Sequence, residues 1–216
     1  MMNMRKSALV VALALADVAF GGIATATEAP AAAPAPQMNK SAMNWFGGVT
    51  YSGAPALNVT AALVKAGGGA HDFSFSKALV SMLGEETVNA EVAKLTKQYG
   101  QKNVTDFING MTFAVNDGLK RATEAGVKLP AAPADLKGVK LASTLVSAGT
   151  TSDGSWWSGY LFDKALSHDI HVKVMQDIDA KYGHAADENT HKILNQAMYD
   201  VAQALKVKGV TLASLH

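Results

Sequence analysis

Apolar residues recur every three or four positions along two long stretches of the chain, which is the spacing of an amphipathic helix. In the first stretch, the stripe comprises Val104, Phe107, Ile108, Met111, Val115 and Ala122. In the second, it comprises Leu194, Ala197, Met198, Val201 and Leu205. After Gly53 we find no convincing alternation over five or more residues, the pattern of a half-buried strand. The pattern therefore predicts an all-α fold.

Glycine and proline mark where the predicted helices end. A shorter helical stretch precedes each long one and ends in Tyr99-Gly100 in the first case and Tyr182-Gly183 in the second. Glycine suits such an end because it adopts the left-handed C-cap conformation without steric cost. Pro130 and Pro133 cannot lie inside a helix. They predict a break in the helical structure over residues 126–133.

Similar segments recur at a fixed spacing and indicate an internal duplication. The run LVKAG at 63–67 recurs as LVSAG at 145–149, and GVKL at 126–129 recurs as GVTL at 209–212. The second copy therefore follows the first by 82 or 83 residues. We expect two tandem, pseudo-symmetric helical repeats of about 83 residues, at 45–133 and 134–216, packed into one helical body. The Lys and Glu side chains of 85–99 and 106–124 are expected on solvated faces.

The first residues have the order of a secretory signal peptide, here residues 1–26. Arg5 and Lys6 precede an almost wholly apolar run at 7–16, and Ala-Thr-Ala at 24–26 offers small residues for cleavage near Ala26. The run is about half of the roughly 20 residues that span a bilayer, so no permanent membrane anchor is expected. Residues 27–44 begin with an Ala/Pro-rich stretch and are expected to form a disordered tether. The predicted location is the periplasm, or outside the cell.

Composition narrows the classes of function. Lysine and arginine number 19 and aspartate and glutamate 18, so no strong field recruits nucleic acid. The chain has no cysteine, which excludes thiolate zinc, iron–sulfur clusters, covalent c-type haem and a thiol nucleophile. The partners that remain are a protein of the cell envelope or a second copy of the chain.

The second repeat differs from the first at apolar positions. Val88, Val92, Ile108 and Val115 of the first repeat correspond to His171, Met175, His191 and Met198 of the second. Imidazole is the commonest metal ligand in proteins, and thioether sulfur suits Cu(I) or haem iron. His168 lies three residues before His171, on the same helical face.

These substitutions predict a metal site formed by His168, His171, Met175, His191 and Met198. Trp156, Trp157 and Tyr182 are the expected aromatic contacts of a bound cofactor. The expected cofactor is a transition metal, copper or iron, or a non-covalent haem. Core packing explains the same residues, because methionine fills irregular cores and a buried histidine can bond a backbone carbonyl.

Three functions are compatible with these observations. The first, which the sequence favours, is an exported helical binding protein for a metal or haem. The second is a cofactor-free structural or protein-interaction module of the cell envelope. The third is an enzyme with a histidine-bound metal, for which Glu188 is the nearest general base and no catalytic set is identified.

Overall fold

A computed structural model describes residues 54–149 and 165–207 of the chain. About 80% of its interpretable part is helical and no strand occurs there, so the predicted all-α class is confirmed. The proposed signal peptide and tether, together with Trp156 and Trp157, lie outside the described residues. Within the two described segments, none of the helices combines the length and apolar character that a bilayer crossing requires.

The described helices follow one another with short connections. They are α1 (Ala54–Ala66), α2 (Phe75–Leu83), α3 (Glu85–Tyr99), α4 (Gln101–Glu124), α5 (Gly138–Gly149), α6 (His168–Tyr182) and α7 (His184–Val207). Residues 127–137 are not helical and include Pro130 and Pro133. The predicted break between the two halves is therefore confirmed.

The Tyr-Gly pairs end their helices as predicted. Gly100 has φ 85° and ψ 150°, and its N–H donates to the carbonyl of Thr96. Gly183 has φ 85° and ψ 153°, and its N–H donates to the carbonyl of Asp179. Positive φ is strained for residues with a Cβ, so glycine allows the chain to leave one helix and enter the next within a single residue.

The later helices recur with the lengths of the earlier ones. Helices α3 and α6 each have 15 residues, and α4 and α7 each have 24. Both later helices begin 83 positions after their counterparts.

The long helices α4 and α7 contact each other, while α6 packs on α4 and α3 packs on α7. A larger hydrophobic cluster includes Phe75 and Phe107, whose rings meet edge to face with centroids 5.7 Å apart. A smaller cluster includes Ile170, Val174 and Ile178 of α6. Helix α4 contributes side chains to both clusters, so it joins the two parts of the core.

Close packing around Gly67 gives a test of this arrangement. A Cβ on Gly67 would lie 2.3 Å from Cδ2 of Phe73 and 3.0 Å from the carbonyl oxygen of Ser74. We expect Gly67→Ala to lower the free energy of unfolding by about 1–3 kcal/mol, because the buried Phe73 ring must shift. Denaturant unfolding monitored by circular dichroism measures this change.

Gly110→Ala is the matched control. Its Cβ would lie 3.8 Å from Oγ1 of Thr190, an ordinary contact, and alanine favours the interior of α4 by up to about 1 kcal/mol over glycine. Equal stability of the two alanine variants would contradict the packing described at Gly67.

Candidate functional site

The start of α6 positions the first two predicted ligands. Oγ of Ser167 accepts a hydrogen bond from the backbone N–H of Ile170 at 3.3 Å, which caps the helix. Asp169 places negative charge in the first turn, where the helix dipole favours it. The helix therefore begins at His168 and brings His171 onto the same face three residues later.

The imidazoles of His168 and His171 lie next to each other. Their ring centroids are 6.3 Å apart and their planes meet at 79°. His168 is exposed, whereas His171 is only 8% exposed. Two imidazoles that share one ion through metal–nitrogen bonds of about 2.0–2.1 Å have centroids roughly 5 Å apart. The exposed His168 ring would need to move by about 1 Å towards His171 to reach that separation.

Met175 lies one turn after His171 on α6. It is half-buried and packs against the smaller cluster, which contains Ile170, Val174 and Ile178. Residues four apart are neighbours on a helix surface, so His171 and Met175 share one face. The structure thus keeps two nitrogen donors and one sulfur donor together over two turns of α6.

The donors predicted on α7 have other surroundings. Met198 packs against the larger hydrophobic cluster, whereas Met175 packs against the smaller one. His191 is half-buried on α7. Sequence comparison of the repeats placed these residues in one set, but the structure distributes the two methionines between two parts of the core.

Within residues 54–149 and 165–207, no three His, Asp or Glu side chains converge in a way that could hold a metal ion. The chain has no cysteine to add. A metal site built from the described part of α6 therefore requires a thioether donor, which Met175 supplies.

Tyr182 packs at the end of α6 against α4. Its ring lies edge to face with Phe113, with centroids 6.1 Å apart. Nζ of Lys181 lies 4.2 Å from the centroid of the same Phe113 ring. Burial, and secondarily the charge of Asp106, raises the pKa of Tyr182. The described contacts of Tyr182 are those of a packing residue between two helices.

An ion-pair network also fastens α6 to α4. Nε of Arg121 lies 2.8 Å from Oδ2 of Asp117 on its own helix, and its Nη2 pairs with Asp177 of α6. Hydrogen bonds from the guanidinium to Asp117 and Asp177 raise the pKa of Arg121. Bonding to two carboxylates at once is a property of the forked guanidinium group that lysine lacks.

A second polar cluster lies between α3 and α7, and the sequence analysis did not anticipate it. Nζ of Lys94 lies 2.5 Å from Oδ2 of Asp200, which also accepts a hydrogen bond from Gln196 at 3.0 Å. Glu91 lies beside them, half-buried, with its Oε1 enclosed by protein. The expectation that the Glu side chains of this helix all lie on a solvated face is therefore wrong for Glu91, because α7 covers it.

Burial raises the pKa of Glu91 to about 7, and a hydrogen bond and repulsion from Asp200 add to the effect, while Lys94 lowers it. The signal that could have revealed this group was available in the repeat comparison. Glu91 is three residues after Val88 and four before Leu95, on the apolar stripe, and Val174 is its counterpart in the second half.

Comparisons of the chain with models of known protein families, with curated proteins and with solved structures find no match. The case for a function therefore depends on the geometry of this chain alone.

The contact between Lys181 and Phe113 gives a test of how α6 is held. We expect Lys181→Met to lower the free energy of unfolding by ~0.5–1 kcal/mol, because a cation over an aromatic face contributes about that much at an exposed site. Thermal unfolding measures the loss. Lys173→Met, at an exposed position on the same helix, is the control, and an equal loss in both variants would exclude the ring contact as the cause.

Proposed function

We propose that the chain is an exported helical binding protein that holds a transition metal ion through His168, His171 and Met175. The observation that carries the proposal is the adjacency of the exposed His168 ring and the buried His171 ring, 6.3 Å apart. Met175 follows on the same helical face. Haem and ion loading are both compatible with the donor types, and the geometry favours an ion.

An internal duplication supports the assignment of these donors to function. We propose that 45–133 and 134–216 are two related repeats, because the helices of the second half recur 83 positions after those of the first. The counterpart of His171 is Val88, which is 3% exposed and fills the core. A fold that packs well with valine at this position does not need histidine there for stability.

The donor set points to copper in its reduced state. Two imidazole nitrogens and one thioether sulfur form a soft set that suits Cu(I). They lie on consecutive turns of one helix, so they approach an ion from one side. A haem bound by two protein ligands would need them on opposite faces of the porphyrin, an arrangement that one helical face does not provide. Hence the proposal is a copper ion rather than haem.

The proposed location follows from the first 26 residues. A signal peptide ending near Ala26 would deliver a soluble protein to the periplasm or the outside. We expect the purified protein from cells that export it to have the mass of a chain beginning at Thr27. Intact-mass spectrometry measures this, and a chain that retains residues 1–26 would contradict export by cleavage.

Copper binding is tested by titrating the mature protein with Cu(I) in competition with a coloured chelator. We expect one ion per chain in the unaltered protein, and at least a tenfold loss of affinity in His168→Ala, His171→Ala and Met175→Leu, because each removes one donor. Met175→Leu nearly conserves side-chain volume, so it separates donor chemistry from packing.

Two variants serve as controls. Met198→Leu changes the methionine in the other cluster, and His184→Ala removes an exposed imidazole on α7; both should bind Cu(I) like the unaltered protein. Circular dichroism should show the same helical content in all variants. If the unaltered protein binds no Cu(I), or if Met175→Leu binds equally well, the proposal is wrong and a cofactor-free interaction module becomes the better interpretation.

A further inference from the structure

A small apolar cavity lies among α2, α3, α4 and α7. Its volume is about 30 Å³, and its walls include Phe75, Leu83, Leu95, Phe107 and Met198. Glu91 is the one ionisable side chain among the described residues that line it. Helices α2 and α4 contribute only apolar side chains to the walls.

The Glu91 carboxyl group has an incomplete set of hydrogen bonds. Its Oε1 is buried and has no partner among the described residues. The carboxyl group also lies within hydrogen-bonding reach of the carboxyl group of Asp200 on α7. Ionised carboxylates only accept hydrogen bonds, so this contact forms only when one of the two groups carries a proton.

The charges around the pair do not balance when both acids are ionised. Asp200 is only 14% exposed and already has Lys94 as its cation. The hydroxyl of Tyr99 is buried and has no described partner, and it carries no charge near neutral pH. Two carboxylates thus share one ammonium group. A buried carboxylate without a compensating charge is strongly unfavourable, which favours a neutral Glu91 in the closed arrangement.

We propose that the Glu91–Asp200 pair is a proton-operated latch that holds α3 against α7 and closes the apolar cavity. When the pair shares a proton, a hydrogen bond joins the two helices. When the proton leaves, two adjacent carboxylates repel each other at the same contact, and α3 separates from α7 more often.

The direction of the pH dependence follows from the titration of Glu91. Burial and the contact with Asp200 raise its pKa from 4.5 to about 7. Below about 4.5 the closed and open forms both carry the proton, so pH has little effect. Between about 4.5 and 7 the closed form keeps a proton that the open form has lost, so stability of the closed form falls as pH rises. Above about 7 both forms have lost it, and the dependence levels off.

Hydrogen exchange of the mature protein tests the latch. After correction for the intrinsic exchange rate, we expect amides of α3 and α7 to exchange about tenfold faster at pH 8 than at pH 6, the ratio that a pKa change from 7 to 4.5 on opening produces. Fluorescence of the apolar dye anilinonaphthalene sulfonate should rise over the same interval, because the opened contact exposes the cavity walls.

Glu91→Gln keeps the shape of the side chain and removes its titration. We expect its corrected exchange rates to be equal at pH 6 and pH 8. Glu86→Gln, which alters an exposed carboxylate on the same helix, should retain the tenfold dependence of the unaltered protein. If Glu91→Gln does not fold, Glu91→Met, which places an apolar side chain in the cavity, should show the same flat profile.

Two results would overturn the proposal. One is a pH dependence in Glu91→Gln or Glu91→Met that equals that of the unaltered protein. The other is an acceleration spread evenly over all described helices, since a latch between α3 and α7 must act first on those two helices.

Discussion

The contact between α4 and α7 is the constraint on which the rest of the described structure depends. These are the two longest described helices, at 24 residues each, and α6 and α3 each pack on one of them. Gly110 lies where α4 faces Thr190 of α7, so the approach meets no side chain on that position. Once this pair is formed, the places of α3 and α6 are determined by the chain, because one residue joins each to the long helix that follows it.

Two contacts between helices have corresponding positions and different chemistry. Asp117 of α4 and Asp200 of α7 are 83 residues apart, and both form ion pairs that involve the neighbouring helix. At the contact of α4 with α6, Arg121 bridges two carboxylates and leaves no acid without a cation. At the contact of α3 with α7, a single lysine serves Asp200, and Glu91 adds a second acid. The same scaffold therefore has one contact with balanced charge and one that depends on a proton.

Much of the fold was accessible from the sequence, because it depends on local signals. The stripe from Val104 to Ala122 lies on α4, and Gly100 and Gly183 end helices where predicted. The surroundings of individual side chains were not accessible in this way. Glu91 is covered by a helix that begins about a hundred residues later, and Met175 and Met198 belong to different clusters although both replace valine. Periodicity identifies the face on which a side chain lies, but not which distant helix covers that face.

The single-residue connections at both ends of α3 restrict how this helix can move. Gly84 precedes it and Gly100 follows it, both with φ 85°, and neither connection contains spare length. A displacement of α3 must therefore be absorbed as backbone rotation at these two glycines, or be transmitted to α2 and α4. Since α2 and α4 carry Phe75 and Phe107 into the larger cluster, α3 would behave as a rigid rod turning between two pivots, with its centre travelling farther than its ends.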